Sequence, residues 1–336
     1  MKQLYRRSGT ERPLLSICIP TWNRAERLAA MLDRLAPFLG PETELVVSDN
    51  GSSDDTDRVL QAFAARGGVF PLSISTNEVN LGADVNYLRV LEFASGTWLW
   101  MVGDDEAILP SAIPNLLREL HGRSGVILLS SPLPELPDLP TTAQLSFSQF
   151  LEARYDVFGM ALLQIGRFVL ERNAMLAHLR RAYSGGVGHL HAYAFLSLAA
   201  IKDGAMLNVV PVAGIFPSVA EIASEQPRWN QLAGHVGAWR SSLLALDGNT
   251  LARQRERRLR ARAIIHSAIW HLNNGGRLGT ALSLWMFLQL PFSGKAQMMP
   301  VIILDIIPTR TRMHLLRLAR YMTGRKEFTM TSSSNY

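Results

Sequence analysis

Two adjacent carboxylates, Asp104 and Asp105, with Glu106 beside them, follow a run of almost continuous apolar residues, TWLWMV (97–102). Like charges this close raise one another's pKa unless a cation joins them. A few hard oxygen ligands suit Mg2+ or Mn2+, an ion that keeps part of its water and binds substrate phosphates. The same residues also read as an acidic turn before a helix, where Asp favours the positive end of the helix dipole. A second polar cluster, SDNGSSDDT (48–56), ends another apolar run. Its Asp-Asn-Gly turn lets Asn50 and Gly51 take left-handed backbone angles. Asp49 is then aimed outward, where its carboxylate can accept the imide N–H of a uracil or thymine ring; the alternative is an ordinary turn and helix cap. PTWNR (20–24) and NLGADVN (80–86) complete the set. The latter, with Asn80 and Gly82, opens a helical pattern, a position where backbone N–H groups face phosphates.

These clusters need a frame to bring them together. LLSICIP (14–20), ELVVSD (44–49), PLSIST (71–76), TWLWMV (97–102) and GVILLSS (125–131) are short, largely apolar runs that suit buried parallel strands. Between them, Leu28, Met31, Leu32 and Leu35, then Val59, Leu60 and Phe63, then Val85, Leu88 and Leu91 fall at helical spacing. Ser52 or Ser53 is the expected N-cap of the second helix, and Pro110 fits the first turn of a later one. This alternation predicts an α/β fold, a mostly parallel sheet with helices on both faces. Ligands on such sheets bind at the carboxyl ends of the strands, and every cluster above sits at one. A proline-rich stretch (131–142) then reads as a loop. Beyond it we expect a helix from about Phe147, a strand near 165–170, helices around 172–182 and 190–202, and a strand near 206–216.

Composition narrows the class. Among 336 residues, 48% are hydrophobic and 18% charged, which excludes a disordered chain and allows a sizeable core. The mean hydropathy of +0.08 is high for a freely soluble enzyme. No run of 18 uninterrupted apolar residues occurs, so no conventional spanning helix is expected. Cys18 is the single cysteine, which rules out an internal disulfide and any multi-cysteine metal site. The first residues lack a long apolar segment, so a cytoplasmic location is expected rather than a secretory signal. The formal charge of +6 divides unevenly: residues 1–125 carry −4, residues 126–200 balance, and residues 201–336 carry +10. Two parts with different partners are implied.

The basic part is helical in pattern. RQRERRLRAR (253–262) runs into Ala261, Ile264, Ile265, Ala268 and Leu272 on one face, and Arg312, Arg317, Arg320 and Arg325 flank Leu315, Leu318, Ala319 and Met322. Apolar stretches at 280–292 and 298–308 are too short to span a bilayer but suit its interface, with arginines meeting lipid phosphates. Packing on the rest of the chain and a homodimer are the other uses of those faces. Without interleaved aromatics, nucleic-acid binding is not expected.

Taken together, LLSICIPTWNR, ELVVSDNGSSDDT, NLGADVN and GTWLWMVGDDE resemble the inverting family-two glycosyltransferases of GT-A fold. The GDD-acid signature is similar to the abequosyltransferase-like subgroup of O-antigen synthesis. The resemblance covers about residues 14–120 and implies a catalytic domain over 1–225, with 226–336 as a basic helical region. It implies a nucleotide-diphosphate sugar as donor and a saccharide, often lipid-linked, as acceptor, at the cytoplasmic face of the inner membrane. Pro20, Thr21 and Asn23 would line the nucleotide pocket, with Asn80 and Gly82 nearby. Asp49 would read the base and Asp104 would contact the ribose or sugar, reaching the cation through water. Asp105 would ligate Mg2+ or Mn2+; Glu106 stands where many relatives have a third Asp. The Glu-Asp pair that often supplies the base has no counterpart here. YSGGVGHLHAYAF (183–195) offers His191 instead, with His189 two residues away. A neutral imidazole near its ordinary pKa could take the acceptor's proton; helix-start packing or substrate orientation is the other reading of His191, and metal ligation by the two histidines lacks a third ligand. A nucleotidyltransferase and a non-catalytic nucleotide-sugar-binding scaffold remain the rival classes.

Overall fold

The computed structural model of the chain describes residues 2–9, 11–104, 106–109, 111–130, 142–153, 166–184, 191–212 and 215–216. Asp105, Pro110, His189 and the whole of 226–336, with its expected domain boundary and membrane face, lie outside the described residues. Among the described residues, no helix is long and apolar enough to cross a membrane.

The sequence-predicted strands form, each shifted by a residue or two: β2 (Leu15–Thr21), β3 (Thr43–Asp49), β4 (Leu72–Thr76), β5 (Trp98–Met101) and β7 (Val126–Leu129). Preceding them is β1 (Lys2–Arg7), which no apolar pattern announces; it pairs antiparallel with β4 at the sheet edge. The helices between are α1 (Ala25–Leu35), α2 (Thr56–Ala65), α3 (Ala83–Phe93) and α4 (Ala112–Leu120). After β7 come β8 (Ala143–Leu145), α5 (Phe147–Ala153), β9 (Phe168–Glu171), α6 (Arg172–Ser184), α7 (His191–Lys202) and β10 (Leu207–Val210). A small second sheet pairs β6 (Ala107–Ile108) with β11 (Ile215–Phe216).

The main sheet has nine strands in the order β1-β4-β3-β2-β5-β9-β7-β10-β8. β4, β3, β2 and β5 run parallel, as expected. β9 then inserts antiparallel between β5 and β7, so the fifth predicted strand does not lie beside the fourth. Alternation of apolar residues specifies which faces of a strand are buried, not which neighbour it takes.

Side chains of the central strands alternate between two cores. Leu15, Ile17 and Ile19 of β2, Leu45 and Val47 of β3, and Trp98 and Trp100 of β5 meet Leu28, Met31, Leu32 and Leu35 of α1, with α2 and α4 on the same face. Cys18, Val46, Leu99 and Met101 point to the other face, against Leu88 and Leu91 of α3 and the apolar helix α7. Burial on both faces explains the near-continuous apolar strands. It also pushes the Cys18 thiol's pKa well up, with nearby Glu44 adding to the effect, so that this cysteine is an inert core residue.

A titratable side chain of α6 is buried as well. His178 of α6 is 6% exposed, and its Nε2 lies 3.6 Å from Asp203 Oδ2. Burial holds the imidazole below its ordinary pKa of 6.5; Asp203 opposes this, while Arg181 and Lys202 add to it. The folded state therefore binds fewer protons than the unfolded one as the pH falls below 6.5, and stability is lost in that window. Urea unfolding at about pH 7.5 and about pH 5 should show a loss on acidification that is smaller in His178→Leu; an unchanged difference would assign the pH response elsewhere.

Candidate functional site

Register brings the polar clusters to one rim. Parallel pairing sets Thr21 opposite Asp49 and Asp49 opposite Thr76, so β2, β3 and β4 end level. The Val102 amide bonds Cys18 O, which carries the chain beyond β5 alongside the end of β2. Asp104 is delivered there only 4% exposed. Thr21 Oγ1 donates to its Oδ2 at 2.9 Å, and Arg24 Nη1 donates to its Oδ1 at 2.7 Å. An ionised carboxylate held away from water needs such partners, and Arg24 supplies the opposite charge.

Asp49 is 1% exposed at the neighbouring strand end. It accepts from the Ser52 hydroxyl at 2.5 Å and from the Ser52 amide at 3.2 Å. Burial raises its pKa above the usual 3.8; the Ser52 bonds offset part of this, and the charges of Asp54 and Asp57 add to it. Ser52 and Ser53 do not cap α2, contrary to expectation. Asp55 stands at the N-cap without a side-chain bond to the helix backbone, and Asp54 accepts from the Thr56 amide instead. The serines go to the site: the Asn23 amide donates to Ser52 Oγ at 2.8 Å, and the Ser53 amide donates to Asn23 Oδ1 at 2.7 Å. Of the turn residues expected in left-handed conformation, Gly51 adopts it at φ 72° and Asn50 does not; Asn23 does, at φ 52°.

Asn50 has a different task. Its side-chain nitrogen donates to Asn80 Oδ1 at 2.8 Å and Gly82 O at 3.2 Å, and its oxygen accepts from the Leu81 amide and from Asn77. Asn86 of α3 accepts from Ser48 Oγ at 2.7 Å and donates to Ser48 O. Asn80 and Gly82 are thereby tied to the loop that carries Asp49. Gly82 opens α3 at φ 86°, a conformation that suits glycine. Asn50, Asn77, Asn86 and Arg24 are the positioning residues that sequence reading missed. Asn86 closes the NLGADVN cluster, which was the signal available for it; its burial against Ser48 is decided by the fold.

Pro20, the last residue but one of β2, is buried, and Trp22, 48% exposed, follows Thr21 at the end of the strand. Glu106 is buried, and a Cβ on Gly166 would lie 2.2 Å from its Oε2, so its carboxylate packs on that backbone. Trp100 Nε1 donates to Gly166 O at 2.8 Å, which holds the same glycine in place. Among the described residues, no group of three or more acidic, His or Cys side chains could hold a metal. The buried Asp104 nonetheless fits a hard divalent cation chemically, as a charged oxygen donor beside Asp105. His191 is the first residue of α7; its side chain lies outside the described residues.

Gly51 tests the arrangement. A Cβ there would meet Val79 C at 2.9 Å and Asn77 O at 3.1 Å, with φ already left-handed. Gly51→Ala should cost about 1–3 kcal/mol in urea unfolding. Stability equal to the unsubstituted chain would show that this loop packs more loosely.

Comparison with known proteins follows the same segment. Residues 16–172 match Glycosyl transferase family 2. Abequosyltransferase RfbV of Salmonella typhimurium is 32% identical over 117 residues, 34% of this chain and 35% of that protein. A PGL/p-HBAD biosynthesis glycosyltransferase of Mycobacterium bovis is 35% identical over 96 residues, 29% of this chain and 37% of that protein. The chain thus spans about a third of the length of these curated relatives. In structure, it is similar to S. aureus TarS 1-349 in complex with UDP-GlcNAc, with a TM-score of 0.58 and 15% identity, covering 95% of this chain and 94% of that one. The mannosyltransferase PcManGT of Pyrobaculum calidifontis, in complex with GDP-Man and Mn2+, gives 0.51 at 14% identity over 94% and 89% of the two chains. Residues 16–172 are accordingly similar to Glycosyl transferase family 2, and the sheet with its helices has the GT-A fold.

Proposed function

We propose that the protein is an inverting glycosyltransferase that moves a sugar from a nucleotide diphosphate to a hydroxyl of a lipid-linked saccharide. The observation that carries this reading is that two nearly buried carboxylates meet at Thr21: Asp49 lies opposite it across β2 and β3, and Asp104 accepts its hydroxyl. Asp49 accepts the imide N–H of the base, and the exposed Trp22 offers a flat apolar face beside it. Thr21 and Arg24 hold Asp104 toward the ribose or sugar. Asn23, Asn80 and Gly82 shape the loops around the nucleotide.

Asp105 is the proposed ligand of Mg2+ or Mn2+, with Asp104 reaching it through water. Such a cation, when bound, neutralises the charge of the departing nucleoside diphosphate. Glu106, packed on Gly166, belongs to the support of the loop rather than to the ligand set. His191, at the start of α7, takes the acceptor's proton as oxygen attacks the anomeric carbon from the face opposite the diphosphate. The names of the relatives, an abequosyltransferase and a PGL/p-HBAD biosynthesis enzyme, favour a surface-glycan or glycolipid acceptor. The basic residues of 226–336 favour work at the inner membrane surface.

Incubation with a panel of nucleotide sugars and Mn2+ should release nucleoside diphosphate; pyrophosphate release would favour a nucleotidyltransferase, and binding without turnover a scaffold. Asp105→Ala should abolish turnover, and full activity in chelator would remove the cation's role. His191→Ala should lower kcat by about 10²–10⁴-fold and far more than His189→Ala; the reverse order would reassign the base. UDP affinity should fall on acidification at a higher pH than an ordinary carboxylate explains, because the raised pKa of Asp49 brings its proton on early. Calorimetric titration of Asp49→Asn should show weaker binding and lose that pH dependence.

A further inference from the structure

The opposite rim of the sheet carries a second charged cluster for which the proposed reaction has no use. Around the start of β2, β3 and β4, a cavity of about 370 Å3 is lined by Arg6, Arg7, Arg12 and Arg172 together with Glu11 and Glu44. These arginines come from far apart in the chain: two from β1, one from the turn after it, and one from the first residue of α6.

Three of them are oriented by backbone carbonyls, which fix a guanidinium without neutralising it. Arg7 Nε donates to Phe70 O at 2.9 Å, with the guanidinium 4.7 Å over the Phe70 ring. Arg12 Nε and Nη2 donate to Ser95 O at 3.0 Å and Gly96 O at 3.3 Å. Arg172 Nε donates to Ala94 O at 2.9 Å. Arg7 Nη2 is buried without an acceptor, a state that costs free energy until one arrives. Glu44 does not fill that need. Its oxygens accept from Ser16 Oγ at 2.5 Å and from the Ser95 amide and hydroxyl at 2.7 and 2.9 Å. Four arginines against two carboxylates leave the lining at +2. The amino end of α6, where Arg172 sits, adds partial positive charge.

We propose that this cavity binds a phosphate group, at a site separate from the donor crevice. A dianion matches the surplus charge, and guanidinium groups converging from β1, the following turn and α6 suit a tetrahedral group of oxygens better than a two-oxygen carboxylate. The phosphate comes either from a small soluble ester or diphosphate or from an anionic lipid headgroup.

Calorimetric titration with inorganic pyrophosphate in the presence of chelator, on the full chain, addresses the soluble source. The double variant Arg12→Gln/Arg172→Gln should weaken binding by about tenfold or more, whereas Asp104→Asn, in the donor crevice, should leave it unchanged. Co-sedimentation with phosphatidylcholine vesicles, with and without phosphatidic acid, addresses the lipid source. Vesicle binding that needs phosphatidic acid and is lost in the double variant supports the site with a lipid phosphate. Arg6→Gln, whose exposed side chain makes no hydrogen bond among the described residues, should weaken the same binding with an unchanged melting temperature; this covers the case in which the double variant does not fold. The proposal is overturned if neither probe binds, or if the arginine variants bind both as the unsubstituted chain does.

Discussion

A carboxylate cannot be held at the edge of an apolar sheet unless its charge is met, and Asp104 sets that constraint here. Water is largely excluded from it, so Thr21 and Arg24 supply the hydrogen bonds and countercharge that water would. Both partners come from the segment that leaves β2, the neighbour of β5 in the sheet. The pairing of β2 with β5 is therefore as much a part of the site as the acid itself. The side chain of Arg24 is far more exposed, at 40%, than that of Asp104, so the cation side of the pair faces the solvent from which a ligand would arrive.

Around this pair the loops are fastened to each other rather than to the core. Asn23 holds Ser52 and Ser53, Ser52 holds Asp49, and Asn50 reaches across to the Asn80 loop. Amide side chains suit this work because each donates and accepts at once without carrying charge. The result is a preorganised rim in which Asp49 already has two of its hydrogen bonds and retains capacity for another. Such preorganisation lowers the ordering cost when a ligand binds.

The two ends of the sheet differ in character. The carboxyl ends gather Asp49 and Asp104; the amino ends gather arginines held by backbone carbonyls. In the middle lie two apolar layers whose side chains alternate along each strand. Parallel strands must present all their carboxyl ends to one side, so a chain that places polar residues after each such strand builds one rim from many separate segments.

Strands β2 to β5 and β7, the helices between them and the acids at strand ends are legible in the order of residues alone. Periodicity and burial are local signals, and a strand buried on both faces is legible as an apolar run. Four segments with matched polar clusters were also enough to mark the resemblance to family-two glycosyltransferases that residues 16–172 bear. The rest follows from contacts between segments distant along the chain. β1 lacks an apolar run because it is an edge strand, and β9 takes its place between β5 and β7 through pairing with residues about 70 positions earlier in β5. Ser52 looked like a helix cap, yet it serves Asp49, and Asn50 looked like a turn residue, yet it fastens a distant loop. A polar side chain finds the partner that folding brings nearest, and that distance is not written in its neighbours along the chain.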